Sequence, residues 1–170
     1  LKIKDLFAEE FPEARLSLSY EVLPQIREFY RLSTTVINAY IQPVMASYLD
    51  RLESRMREMG ITTPKLYIMQ SNGGVSTFRG SANKPVATVL SGPAGGVIAS
   101  MGTCDRVGMH NIITFDMGGT GRGVAVVHQG SPVITTQGKI DLRPIALPML
   151  DIHTVSAGGG AALFEVARRV

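Results

Sequence analysis

The chain has 170 residues, 45% of them hydrophobic, enough for one compact unit or two half-domains with a sizeable core. Its 17 basic and 14 acidic residues give a net charge of +3, Trp is absent and no run of like charges occurs, so no nucleic-acid-binding stripe with interleaved aromatics is present. Cys104 is the single cysteine, which excludes an internal disulfide or a multi-cysteine metal site and points to the reducing cytoplasm; no apolar run approaches the ~20 residues of a membrane span. The start at Leu1 rather than Met, without a signal-peptide pattern, is that expected of an excised piece.

In chain order, residues 15–22 alternate over a strand's length and Pro24 closes them. A long amphipathic helix follows, with Ser33 or Thr34 as its N-cap and Gly60 as its end. Val36, Ile37, Tyr40, Ile41, Val44, Met45, Tyr48 and Leu49 recur in steps that predict one buried face, and Pro43 predicts a kink. Residues 65–69 read as a buried strand feeding Gln70-Ser71-Asn72-Gly73-Gly74, a loop that suits a ligand at a strand end or a plain connecting turn. Residues 86–90 form a mainly apolar run after a polar loop. It runs into Ser91-Gly92-Pro93-Ala94-Gly95-Gly96 and a small-residue helix reaching Asp105, with Ser91 as cap and Pro93 in the first turn. Gly95 and Gly96 each cost about 1 kcal/mol of helix propensity against Ala, a cost explained if another backbone packs closely there.

The centre of the chain is the stretch 112–127. An apolar run ends in Asp116, turns through Gly118 and Gly119, and resumes as a second apolar run, the pattern of a hairpin with a carboxylate near its tip. Successive N–H groups of a glycine pair can converge on one anion. Asp116 beside such a nest makes sense if a divalent cation bridges carboxylate and phosphate. The same residues also suit an ordinary Asp-Gly hairpin turn. Further on, residues 150–155 alternate as a strand and enter Ser156-Ala157-Gly158-Gly159-Gly160, followed by a predicted helix over 161–169; a Gly-rich loop opening a helix is a second possible anion site. Asp151 and His153 share one face of that strand, as metal ligands or as hydrogen-bonded structural residues.

Met69-Gln70-Ser71-Asn72-Gly73-Gly74, Leu90-Ser91-Gly92-Pro93-Ala94, Phe115-Asp116-Met117-Gly118-Gly119-Thr120 and Asp151-Ile152-His153-Thr154 with Ala157-Gly158-Gly159-Gly160 resemble the hydantoinase A and 5-oxoprolinase family in order and spacing. The ATP-handling subunit of acetone carboxylase is similar. The resemblance runs from about Leu16 to Gly160, and family proteins are several times longer than this chain. It implies an α/β fold of the actin-like ATPase type, two ribonuclease-H-like halves around a nucleotide cleft. Residues 1–108 would end the first half and residues 109–170 would begin the second, with strands 65–69 and 112–116 in different halves.

The resemblance also implies ATP and Mg2+ as cofactors. Asp116 would be catalytic and hold the cation, with Asp151 and His153 as further candidate metal ligands. The N–H groups of Gly118, Gly119 and Thr120 would cradle phosphate, and Gly158, Gly159 and Gly160 would line the cleft. The implied reaction is ATP-dependent opening of a small cyclic amide of the hydantoin, N-methylhydantoin or 5-oxoproline type, with a partner subunit of the hydantoinase B type. Alternatives are the ATP-using subunit of a ketone carboxylase and a non-catalytic nucleotide-binding or assembly module. The family's other phosphate loop lies outside this chain, so the chain alone is expected to be inactive. One departure stands out: the family continues Gly-Gly-Thr with Ser-Thr-Asp, whereas this sequence has Gly121-Arg122-Gly123.

Overall fold

The computed structural model describes residues 2–117, 122–140 and 142–155. Three helices open the chain: α1 (Lys2–Glu10), α2 (Ser19–Val22) and the long α3 (Glu28–Glu58). The strand expected over 15–22 is instead an irregular segment ending in the single turn of α2, which drops Val22 and Leu23 into the core. Helix α3 starts earlier than expected. Thr34 and Ser33 are interior residues, the hydroxyl of Thr34 donating to Tyr30 O (2.8 Å) and that of Ser33 to Pro144 O (2.8 Å). The helix runs on through Pro43.

The buried face of α3 is the expected one only in part, at Leu49 and at Ile37 and Ile41, which are partly buried against the core. Thr34, Asn38 and Gln42 are buried with Ala46 and Leu49, while Val36, Tyr40 and Val44 on the opposite side are 57%, 83% and 72% exposed. The polar side is inward because it serves irregular backbone. The Asn38 amide donates to Ser17 Oγ (3.0 Å) and Asn83 O (3.3 Å), and its oxygen accepts from Val86 N (3.2 Å).

Strands β1 (Tyr67–Met69) and β2 (Val75–Thr77) form an antiparallel hairpin, so 70–74 is a tight turn. Asn72 Oδ1 accepts from Gly74 N at 2.9 Å, and Gly73 takes a φ of +82° beneath Ile98, where a side chain would collide. After α4 (Phe78–Asn83), the apolar run begins in a 3₁₀ turn, Pro85–Thr88, started by Pro85 and closed by the Thr88 hydroxyl on Pro85 O (2.7 Å). Helix α5 (Ser91–Asp105) follows.

The expected hairpin is present as β3 (Ile112–Met117) and β4 (Arg122–His128), in register Ile112 with Val127, Thr114 with Ala125 and Asp116 with Gly123. Five short strands come next: β5 (Ser131–Pro132), β6 (Ile134–Thr135), β7 (Gly138–Ile140), β8 (Arg143–Ile145) and β9 (Met149–Leu150). Strand β10 (Ile152–Val155) pairs antiparallel with β4, giving the order β10–β4–β3, with β5 also on β4.

Two apolar clusters hold these elements. One joins Val22, Leu23 and Val86 to Ile145, Ala146, Leu147 and Met149. The other seats Ala94 and Val97 of α5 on Ala125, Val127 and Leu150. Strands β1 and β3 lie in separate sheets, with α5 packed against both, and the first cluster draws residues from either side of position 108. The fold is thus mixed helix and sheet, with Ala94 and Gly96 of α5 set against Gly123 and Ala125 of β4 where the helix meets the sheet.

Candidate functional site

The local geometry starts at Ser71, a buried residue whose hydroxyl lies within hydrogen-bonding reach of Ala87 O and Val89 O. Those contacts hold the segment leading to Leu90, which adopts the left-handed conformation (φ 62°, ψ 21°), a cost of roughly 1–2 kcal/mol for a residue with a Cβ. The turn at Leu90 replaces the expected Ser91 cap, and Ser91 is the first helical residue of α5. Pro93 sits in the first turn, where its missing N–H is no loss. The first turns of α5 are thereby set against the sheet that carries Asp116, whose Oδ2 lies by Gly96, the sixth helical residue.

Strand alternation decides what faces α5. Thr114, Ala125 and Val127 are buried on that side, so Ile112 and Asp116 of β3, Gly123 of β4, and Ile152 and Thr154 of β10 share their phase. A cavity of about 160 Å³ lies between α5 and the sheet, lined by Pro93, Gly96 and Ser100 on one side and by Asp116, Gly123 and Ile152 on the other. Both glycines shape it. A Cβ on Gly96 would touch Asp116 Oδ2 at 3.8 Å, and one on Gly123 would press on Ile152 Cγ2 at 3.2 Å, with Pro93 Cβ 3.7 Å away. Asp116 has no hydrogen bond or ion pair among the described residues. An exposed carboxylate without a protein partner, at a strand end beside a helix N-terminus, is available to a ligand.

The other predicted positions fall differently. Gly118, Gly119, Thr120, Gly158, Gly159 and Gly160 lie outside the described residues, as does the helix expected over 161–169. Asp151 and His153 do share a face, with His153 Nε2 3.6 Å from Asp151 Oδ2, but it is the face opposite to Asp116, because Ile152 between them points at α5. The three-residue metal set expected from Asp116, Asp151 and His153 is therefore not assembled. Among the described residues no three His, Cys, Asp or Glu side chains lie close enough to hold a metal. Gly96 and Gly123 are named in the sequence but not as members of this site, although the glycine cost at Gly96 already points to a close approach. The phase of β10 was readable in Leu150 and Ile152, whose apolar side chains mark the inward positions.

Larger cavities elsewhere share no residue with this one. One of about 470 Å³ lies between the C-terminal turns of α3 and the start of α4, where Arg57 is already paired with Glu53. Another of about 260 Å³ is lined by Arg27, Tyr30 and Lys139. Two more, of about 340 and 220 Å³, lie along α3 around Arg51 and Arg55. None of them is walled by glycine backbone beside an unpaired carboxylate, so the small cavity is the better candidate despite its size. Its volume suits a phosphate group or a hydrated ion rather than a whole nucleotide, for which pockets of ~300–1,000 Å³ are usual.

An α/β unit with a carboxylate-tipped hairpin set against a small-residue helix is the class these observations define. The chain belongs to the hydantoinase/oxoprolinase family, whose model matches residues 31–170. It is 36% identical over 150 residues to caprolactamase subunit alpha of Pseudomonas jessenii and 37% identical over 157 residues to the 5-oxoprolinase of Saccharomyces cerevisiae. These matches take in 88% and 92% of this chain but 21% and 12% of those proteins, so the chain corresponds to a fragment of each. Among solved structures, nucleotide-free acetone carboxylase superposes with a TM-score of 0.77 at 26% identity, covering 94% of this chain and 22% of that one. The ATP-dependent caprolactamase of Pseudomonas jessenii gives 0.75 at 27% identity, over 98% of this chain and 24% of that one. Among the described residues no helix is long and apolar enough to cross a membrane.

Proposed function

We propose that this chain is the part of an ATP-dependent cyclic-amide hydrolase that receives nucleotide phosphate, and that Asp116 faces the phosphate across the end of the β3–β4 hairpin. The observation that carries this reading is the unpartnered Asp116 carboxylate in a glycine-walled slot at the N-terminus of α5. In the longer protein, ATP would phosphorylate the ring amide oxygen and make it a leaving group before water attacks. The protein's share is positioning and charge neutralisation. We assign the cradle to the N–H groups of Gly118, Gly119 and Thr120 and a second contact to Gly158, Gly159 and Gly160. We also read the fold as actin-like, with a partner subunit of the hydantoinase B type.

A divalent cation fits this donor set in one way. Mg2+ is commonly held by one or two carboxylates, with phosphate oxygens and water completing its shell. Asp116 supplies one carboxylate, and the slot has room for a hydrated ion. The cation would neutralise phosphate charge, while the chain's own residues orient the phosphate and keep the carboxylate free.

Cyclic amides are favoured over ketones because the more similar relatives carry lactam-hydrolase names, at 36% and 37% identity, against 27% for the acetone carboxylase beta subunit of Xanthobacter autotrophicus. The carboxylase reading keeps a place because of the 0.77 TM-score. Phosphate release by the full-length protein decides between them. Stimulation by 5-oxoproline or a hydantoin supports the hydrolase; stimulation only by a ketone with bicarbonate supports the carboxylase; neither, with nucleotide still bound, leaves a binding module. Asp116→Asn lowers whichever activity appears. The isolated chain offers one wall of a cleft. Each missing charge-assisted hydrogen bond costs about 1.5–3 kcal/mol, so two or three of them leave magnesium-ATP binding at millimolar strength or weaker. Low-micromolar binding by calorimetry would overturn the half-cleft argument.

A further inference from the structure

The outer face of α3 has the composition of an interior. Leu32, Val36, Tyr40, Val44 and Tyr48 stand in one row of i, i+4 neighbours, each more than half exposed. Residues 32–49 contain no charged side chain, whereas the outer face of a surface helix ordinarily carries charge. At about 1.5 Å per residue the row runs for roughly 24 Å. Its C-terminal end opens into a cavity of about 220 Å³ lined by Tyr48, Arg51, Leu52 and Arg55. Arg51 Nε donates to Ser47 O at 3.2 Å, and Arg55 has no ion pair among the described residues. A contiguous exposed apolar surface of this kind marks a place where another surface docks.

We infer that this face of α3 is a docking surface for the rest of the same polypeptide, and that the segment seated on it is apolar against Val36, Tyr40 and Val44 and presents a carboxylate to Arg55. Two observations choose that occupant over a second copy of this chain. The match to caprolactamase subunit alpha takes in 88% of this chain but 21% of that protein, so most of a polypeptide of that kind lies outside the match and is at hand to supply the cover. The row itself is short. It offers five large side chains, against about 20–30 residues a side in a stable interface between separate proteins. A contact so small holds where the two surfaces are already tethered, because docking then forfeits little further translational freedom. Arg55 sets the polar end of the contact, as the cation beside the row that is left without a counter-ion. The inference is independent of the nucleotide-phosphate reading, since no residue of the row lines the slot beside Asp116.

The test is the reaction of an introduced thiol with a maleimide in the full-length protein. Val44→Cys and Tyr48→Cys are labelled separately and read by peptide mass spectrometry, each native rate being compared with the rate in urea. Under a cover that opens only by local unfolding, both label about a hundredfold or more below the unfolded rate, at micromolar and nanomolar protein alike. Arg55→Glu speeds the labelling of Tyr48→Cys, and Arg55→Lys does not. Val44→Glu gives a second readout that needs no label. Glu is the better helix former, so on an open face it leaves the urea midpoint unchanged or higher, and only a cover makes it lower. Labelling at close to the unfolded rate, or a parent-like midpoint for Val44→Glu, overturns the inference. Protection that disappears on dilution identifies a second copy, and protection that appears only when a separate subunit is added identifies a partner chain; either overturns the choice of occupant. Arg55→Glu without effect on Tyr48→Cys overturns the carboxylate contact.

Discussion

Around Val86 and Ile145 the chain buries large aliphatic side chains beside a column of polar ones, Thr34, Asn38 and Gln42. Between α5 and the β3–β4–β10 sheet it buries chiefly Ala, Val and Leu, and leaves glycines at the rim. The first region must hold irregular segments, 15–18 and 83–90, whose backbone groups have no ladder to join. Side-chain amides and hydroxyls from a rigid helix take the place of that ladder. The second region has its ladder already, and its small residues bring a helix close enough to leave a slot only at the sheet's end. The larger buried side chains lie in one region and the open slot beside Asp116 in the other.

The largest test of that contrast is Ile145→Ala. Ile145 is fully buried in the first cluster, and its truncation is expected to cost about 2–5 kcal/mol of unfolding free energy in urea. Asn38→Ala comes next. It strands Val86 N–H in buried surroundings, at roughly 1–3 kcal/mol, while Asn83 O keeps its other donor, Gln42 Nε2 at 3.5 Å. If Asn38→Leu were as stable as the parent, the polar column would be a passenger rather than a support. A change of opposite sign is expected at Ser81, whose buried hydroxyl has no hydrogen-bond partner among the described residues. Removing it in Ser81→Ala raises stability by about 0.5–1 kcal/mol, since the hydroxyl is desolvated without return. A loss on that substitution would contradict this account of the first region.

The same contrast governs how much the sequence disclosed. The β3–β4 hairpin was legible because two β-branched runs flank a glycine turn, and its register follows from alternation. Helix α3 was legible in existence and only partly in orientation. Apolar spacing marked Ile37, Ile41 and Leu49 correctly but also Val36, Tyr40 and Val44, which are exposed, while Asn38 and Thr34 are buried against partners in loops up to 112 residues away in sequence. Residues 86–90 showed in the sequence only as an apolar run; Pro85 and the Thr88 hydroxyl on Pro85 O shape its start as a 3₁₀ bend, which long-range packing on Ile145 requires and local spacing does not disclose. At the site, chemistry-bearing side chains drew the eye to Asp151 and His153, and strand phase pointed to Ile152. Phase prevails because one face of β10 is committed to α5.

The smallest effect expected lies outside both regions. Helix α1 buries no residue, and nine residues are too few for a stable helix in isolation, so its attachment depends on contacts such as Lys4 Nζ to Glu21 Oε1 at 2.9 Å. The hydrogen bond between these side chains, more than their Coulomb attraction, raises the Lys4 pKa above its ordinary value and lowers that of Glu21. For Lys4 the stabilisation is complete below the unfolded value of 10.5 and is lost as pH rises through the higher folded one. For Glu21 it is complete above the unfolded value of 4.5 and is lost as pH falls through the lower folded one. The pair therefore acts between those two limits, and both side chains are about half exposed, so salt weakens it. In a carbon-detected pH titration the Glu21 carboxyl should have its midpoint below 4.5, and Lys4→Met should return it to the ordinary value. The same variant should leave the urea midpoint of the two clusters where it was. A shift of that midpoint as large as the one from Asn38→Ala would mean that α1 belongs to the first region after all, and the division of the molecule drawn from its buried residues would have to be redrawn to include it.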